Sequence, residues 1–241
     1  MFQQLTPVTK AIIMINAIVF VLAQYLLPQL NAYLSGFFPL SPNFRFWQVI
    51  THMFMHGSFG HILFNMLTLW SFGPVLEKVL GSRKFLLFYF ACGLGSFILF
   101  NLWNYYQYSE LVQVLTQKGV DVVDIYNKAN MYSSDYGMVN GDEQTQKLWG
   151  ILAGPMVGAS GAIFGVVAGF ALLFPNAELF FMFIPFPVKA KYLLPIIVIA
   201  SLYFGFRQFQ WDNIAHFAHL GGALIGCLWI LAFKRNRNLG R

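Results

Sequence analysis

The sequence predicts an all-α membrane protein, a bundle of six transmembrane helices in one domain spanning residues 1–241. Three observations lead there. The chain is 58% hydrophobic and only 10% charged, whereas soluble domains carry about 25% charged residues. Six apolar runs stand out, most of them near the ~20 residues that a helix needs to cross ~30 Å of hydrocarbon. The basic residues also divide unevenly between the connections, as they do in membrane proteins with a fixed orientation.

The runs, in order, cover residues 11–27, 57–76, 85–103, 148–174, 192–206 and 213–233. No cleavage site of the usual kind follows the first, so it reads as a retained span and not a signal peptide. Residues 28–56 form a long connection with PLSPNF and the aromatic cluster FRFW. The second run ends before Glu77. Residues 104–147 form a polar insert between the third and fourth spans, net negative, with a short helical pattern at Ser109–Gln117. Pro155 interrupts the fourth run, so its regular helix is expected to begin near Gly158. Pro195 makes the fifth run the least regular.

With the N-terminus inside, Lys10, Lys78, Arg83, Lys84, Lys189, Lys191, Lys234, Arg235, Arg237 and Arg241 fall on the inner side. Arg45, Lys118, Lys128, Lys147 and Arg207 fall outside. This balance predicts both termini in the cytoplasm. The basic tail, 234–241, then anchors at an anionic leaflet. The formal charge of +6 forms no basic patch on a soluble face, so nucleic acid is not an expected partner. The lipid bilayer is. Cys92 and Cys227 lie in apolar runs and make no metal or disulfide pattern.

Polar residues inside spans are costly and point to function. Counting about 1.5 Å per residue puts Ser160 and His219 about 9 Å below the outer face and His61 about 7 Å below it, with Asn65 one turn deeper. Gly161, Gly165 and Gly169 repeat every four residues beside Ser160, with Gly158 expected to join them as a helix-packing residue, and Gly222 and Gly226 do so beside His219. Small-residue faces let membrane helices approach closely. If these two faces meet, the hydroxyl of Ser160 meets the imidazole of His219. A base of that kind activates a serine near neutral pH. Phe164, one turn below Ser160, is placed to support the imidazole by stacking. Asn65, His61 and the backbone N–H of Ser160 are the candidate oxyanion donors. Asp212 lies too far along its helix to serve as a third member. His52, His56, Ser58 and His61 are expected to line a wet pocket. Each residue has a plainer reading alone, as packing or interhelical hydrogen bonding.

These residues resemble the rhomboid family of intramembrane serine proteases. GASGAIFG, residues 158–165, is similar to the family's GxSGxxxG and implies that Ser160 is the nucleophile. AHLGGALIG, residues 218–226, is similar to AHxxGxxxG and implies His219, not His216, as the base. HGSFGHILFN, residues 56–65, is similar to the second-helix HxxxN and implicates His61 and Asn65 in the oxyanion hole. The resemblance implies cleavage of peptide bonds in or near the membrane-spanning helices of substrate proteins, without metal or cofactor. Two departures stand out. Gln48 follows Trp47 where the family often has arginine, and the 104–147 insert is longer than the connection in simple bacterial members. The alternatives are a pseudoprotease that binds membrane helices without cutting, and a transporter or haem protein. A zinc protease is disfavoured by the lack of HExxH. The compact chain, its basic tail and no evident targeting segment suggest a bacterial inner membrane.

Overall fold

The computed structural model describes residues 4–179, 187–207 and 214–239. Helix α1, Pro7–Val21, opens with proline at its start and closes in a π turn over Leu22–Leu26. Its first N–H groups lack intrahelical partners. The carboxylate of Glu77 accepts from Val8 N at 3.0 Å and Thr9 N at 2.8 Å. The connection to the second span holds two short helices, α2 Leu30–Leu34 and α3 Gln48–Thr51, and a 3-10 turn over His52–Phe54. Helix α4, Phe59–Leu80, is capped by Ser58 and stops at Gly81, whose φ of 79° suits glycine.

Helix α5, Ser82–Gln117, is 36 residues long and does not stop at residue 103. The expected short helix at Ser109–Gln117 is the C-terminal end of this rod. Two further helices complete the insert region, α6 Val122–Lys128 and α7 Glu143–Ala153. Leu111, Leu115, Ile125, Leu148 and Leu152 form a small core there, with Phe38 contributed by the first connection. The insert is therefore a folded unit tied to the 28–58 segment. Asn43 holds the two together, donating to Ala129 O at 2.7 Å and accepting from Met131 N at 3.0 Å.

The expected fourth run splits. Its first part lies in α7, and an irregular stretch over 154–159 leads into α8, Ser160–Leu173. This helix has 14 residues and rises roughly 21 Å. Nearly all of it is buried, because α4, α5, α9 and α10 surround it. Lys234 donates to Leu172 O at 3.2 Å and so places a cation at the negative end of α8. A two-stranded antiparallel ribbon, β1 Glu178–Leu179 with β2 Val188–Lys189, follows and departs from a purely helical chain. Helix α9, Ala190–Arg207, and α10, His216–Leu239, complete the bundle.

Among the described residues five helices are long and apolar enough to cross a membrane, and α8 is a shorter apolar one. Apolar side chains such as Ile18, Phe64, Leu87, Ile98, Ile199 and Leu228 are exposed on their outward faces. In water such faces would be unfavourable, but in lipid they cost nothing. This is a multi-pass membrane protein.

Candidate active site

The glycine faces bring α8 and α10 together. A Cβ built on Gly222 would stand 1.8 Å from Gly161 O, and one on Gly226 would stand 2.5 Å from Gly165 O. Gly165 also accommodates Cys92 of α5, at 2.4 Å from where its Cβ would be. Gly169 packs more loosely, against side chains of Phe88, Leu76 and Ile230. On its other side α10 meets α5 through Gly221 and Gly95, a second close approach that the four-residue spacing did not reveal. Gly158 is not a helix-packing residue. Its φ is 122°, and a Cβ there would strike His61 Nε2 at 2.8 Å.

The consequence of this packing is one short contact. Ser160 Oγ lies 3.0 Å from His219 Nε2. With a neutral imidazole, the hydroxyl donates and the ring nitrogen accepts. Phe164 stacks on the His219 ring at 3.9 Å between centroids and 6° between planes. His216 is turned to Phe204, with ring centroids 5.6 Å apart. Asp212 and the expected start of the sixth run at Asn213 lie outside the described residues. Because α10 begins at His216, His219 stands in its first turn. Ser160 is the first residue of α8, and His61 is the third of α4. The site is thus assembled at three helix N-termini, where partial positive charge accumulates. No side chain caps α8, which leaves the first N–H groups of that helix available to a ligand.

A cavity of about 550 Å³ joins these residues. His61, Asn65, Ser160, Phe164 and His219 line it, together with Phe100, Ile214, Ala215 and the 155–157 stretch. His52, His56 and Ser58 do not line it, contrary to expectation. Ser58 is engaged as the cap of α4, accepting from His61 N at 3.2 Å. His52 is buried, its Nδ1 2.9 Å from Gln48 O, so Nδ1 donates. Its own carbonyl accepts from Gly158 N at 3.0 Å, and Gly36 and Met156 exchange two backbone bonds beside it. These contacts fix the backbone leading to Ser160.

His56 is the residue that sequence reasoning undervalued. Its Nε2 lies 3.0 Å from Asn65 Nδ2, and its ring meets His61 edge-on at 4.9 Å. The amide nitrogen of Asn65 can only donate, so Nε2 of His56 accepts and the ring is neutral. Burial, and then the neighbouring His61, lower the His56 pKa to about 4. Burial alone takes His52 down to about 4 against two backbone hydrogen bonds.

Gln48 is fully buried where the family often has arginine. Its Oε1 accepts from Arg45 N at 2.9 Å and its Nε2 donates to Asn43 O at 3.2 Å. Arg45 donates to Phe44 O at 2.7 Å and stands over the ring of Tyr132 in the insert. Together they hold the first connection through hydrogen bonds of their own.

The family model described as Rhomboid domain matches residues 43–236, most of the chain and all of the site. The protein belongs to the rhomboid family. Among curated relatives, this rhomboid protein is 28% identical to Rhomboid protein 1, mitochondrial, of Saccharomyces cerevisiae, over 91% of the chain and 51% of the relative. It is 27% identical to Presenilin-associated rhomboid-like protein, mitochondrial, of Rattus norvegicus, over 92% of the chain and 47% of the relative. An uncharacterized rhomboid protein of Schizosaccharomyces pombe, also named mitochondrial, is 27% identical over 76% of the chain and 49% of its own length. The chain spans about half the length of these relatives.

Proposed function

We propose that this rhomboid protein is an intramembrane serine endopeptidase acting on membrane-spanning protein substrates. The observation that carries the proposal is the 3.0 Å contact between Ser160 Oγ and His219 Nε2. Ser160 Oγ attacks the carbonyl carbon of the scissile bond while its proton passes to Nε2. The tetrahedral oxyanion is held by N–H donors from Asn65, His61 and the Ser160 backbone. Collapse breaks the C–N bond, and the imidazolium gives its proton to the leaving amine. Water, deprotonated by His219, then attacks the acyl ester, the C–O bond to Ser160 breaks, and the imidazolium returns its proton to Oγ. Phe164 keeps the ring plane fixed throughout. No metal or cofactor enters these steps.

The cavity lies among helix N-termini on the side of the insert, which the charge balance assigns to the outside. Both termini are then cytoplasmic. Substrates that suit the site are helices that unwind easily near that face, since a stable helix keeps its carbonyls in hydrogen bonds.

A fluorophosphonate probe tests the reading without a natural substrate. Wild-type protein in detergent is expected to be labelled, and Ser160→Ala and His219→Ala are not. Equal labelling of Ser160→Ala, or equal cleavage of a single-span test substrate by either variant, sinks the mechanism. A folded wild type that neither labels nor cleaves favours the pseudoprotease instead, a protein that binds membrane helices without cutting them. A bacterial inner membrane is the location we propose, and the names of the relatives favour a mitochondrial one as the second reading. Fractionation of the source cells decides between them.

A further inference from the structure

One face of the insert is apolar where a polar segment would be expected. Tyr132, Tyr136 and Met138 are exposed, and Met138 is 77% exposed beside Val139, which is buried in the insert's own core. Between Asn130 and Met138 the one charged residue is Asp135. The first connection brings a second apolar group against this loop. Phe46 is 78% exposed and meets Trp47 edge-on at 5.2 Å, and Trp47 packs on Tyr33 at 4.7 Å. The two groups join at Tyr132, whose hydroxyl donates to Ala32 O at 3.4 Å and whose ring lies 5.1 Å from the Arg45 guanidinium. Tyr136 is backed by Trp149 of α7, with ring centroids 6.5 Å apart.

The first span sets the height of this surface. Pro7–Leu26 has 20 residues and rises about 30 Å, the thickness of the hydrocarbon. Leu26 thus marks the boundary on the side of the insert. The chain then turns back. Asn31 donates to Ala23 O at 2.8 Å, which returns α2 to the level of the last turn of the span. Ala32 follows Asn31, so the Tyr132 hydroxyl bonded to it stands at the membrane boundary. Tyr25 and Leu26 are exposed at the same level and face lipid. Tyrosine and tryptophan favour this level, where the ring sits in apolar material and the polar tip in water.

We propose that the 130–138 loop of the insert docks on the lipid bilayer, with Tyr132, Tyr136 and Met138 set among the headgroups and the first methylenes beneath them. Lipid is the occupant because the patch stands at the height of the lipid-facing surface and joins it through α2. Asp135 limits the depth. A carboxylate is costly in hydrocarbon, so the loop rests at headgroup level and goes no deeper. Arg45, beside Tyr132, then puts a cation at the level of the lipid phosphates. The insert is held from two sides, by Asn43 and by the bilayer. This inference rests on the membrane architecture and is independent of the protease reading.

Photo-crosslinking of the wild-type protein in phosphatidylcholine vesicles tests it. The vesicles include a phospholipid with a diazirine just below its headgroup, and the adducts are mapped by mass spectrometry. Tyr25 is the positive reference. Lys118 is the negative one, because it closes α5, whose 36 residues overrun the membrane. Adducts are expected on Tyr132, Tyr136 or Met138 as on Tyr25, with none at Lys118. The double variant Tyr136→Glu, Met138→Glu is expected to lose the adducts on Tyr132 and to keep those on Tyr25. Both side chains are exposed, so the change leaves the core alone; should the melting temperature in detergent fall nonetheless, the wild-type adduct map decides. Labelling of Tyr25 with none in 130–138 overturns the proposal, as does an equal yield at Lys118. Adducts on Tyr132 that survive in a folded double variant overturn it too. A disulfide-linked dimer of Met138→Cys protein in the same vesicles, with the loop free of lipid adducts, assigns the patch to a second copy of the chain and overturns it likewise.

Discussion

At the scale of single residues, the arrangement depends on keeping two imidazoles neutral and one imidazole flat. Phe164 does the second, through a nearly parallel face. Replacing it by alanine removes a ring contact of about 0.5–1.5 kcal/mol, so kcat/KM should fall about 2- to 12-fold. Phe164→Tyr should keep most of the rate. An unchanged Phe164→Ala would show that the ring does not orient the base. His52 and His56 do the first. Both have folded pKa values of about 4, below the ordinary value of 6.5. Between pH 6.5 and 4 the unfolded chain takes up protons that the folded chain refuses. Their contribution to stability is therefore full above pH 6.5 and is lost as pH falls toward 4. Thermal unfolding in detergent should show a melting temperature that drops across that window, with a shallower drop in His52→Gln. A flat profile would contradict the burial of both rings.

At the scale of elements, glycine decides how near two helices stand. Gly222 has no room for a Cβ against Gly161 O. Gly222→Ala should push α10 from α8 and lower stability by about 1–3 kcal/mol, the usual cost of overpacking. It should also slow probe labelling of Ser160, because the two reacting side chains ride on those helices. Gly60→Ala is the contrast: no heavy atom lies within 4 Å of its Cβ position, and the helix gains about 0.5–1 kcal/mol. Melting temperatures and labelling rates of the two variants test the assignment, and similar effects would refute it. Much of this was legible from residues alone. The four-residue glycine spacing located the α8–α10 contact, and Pro155 located the break before Ser160. Other features were not legible. Helix α5 runs on past residue 103 through Asn104, Tyr105, Tyr106 and Gln107, polar residues that lower hydropathy without breaking a helix. His56 lies nine residues from Asn65 across a helix cap, so no single helical period links them. The packing of Gly221 on Gly95 joins glycines without a regular repeat, which only the tertiary structure can pair.

At the scale of the whole molecule, the insert and the first connection behave as one structure. Asn43 makes three of the hydrogen bonds that join them, to Ala129 O, Leu152 O and Met131 N. Asn43→Ala leaves the Ala129 carbonyl and the Met131 amide without their partner, at a cost of about 1–3 kcal/mol. Hydrogen exchange at Met131 should quicken, and proteolytic nicking between α6 and α7 should rise, while the six apolar helices keep their protection. Unchanged exchange at Met131 would show that the insert is held elsewhere. Cations and anions on the insert surface, such as Lys118 with Asp142 at 2.7 Å, add little, since such pairs are screened by water.

The length of α5 carries one more consequence. Its 36 residues extend about 54 Å, against ~30 Å of hydrocarbon. Standing upright, the rod projects up to about 24 Å beyond the oily layer and acts as a post beside the mouth of the site. On the protease reading proposed above, a substrate whose bulky head sits flush on the lipid would collide with that post. One with a slender neck of a few extended residues would pass it, so molecular girth next to the membrane would become a selection rule in its own right.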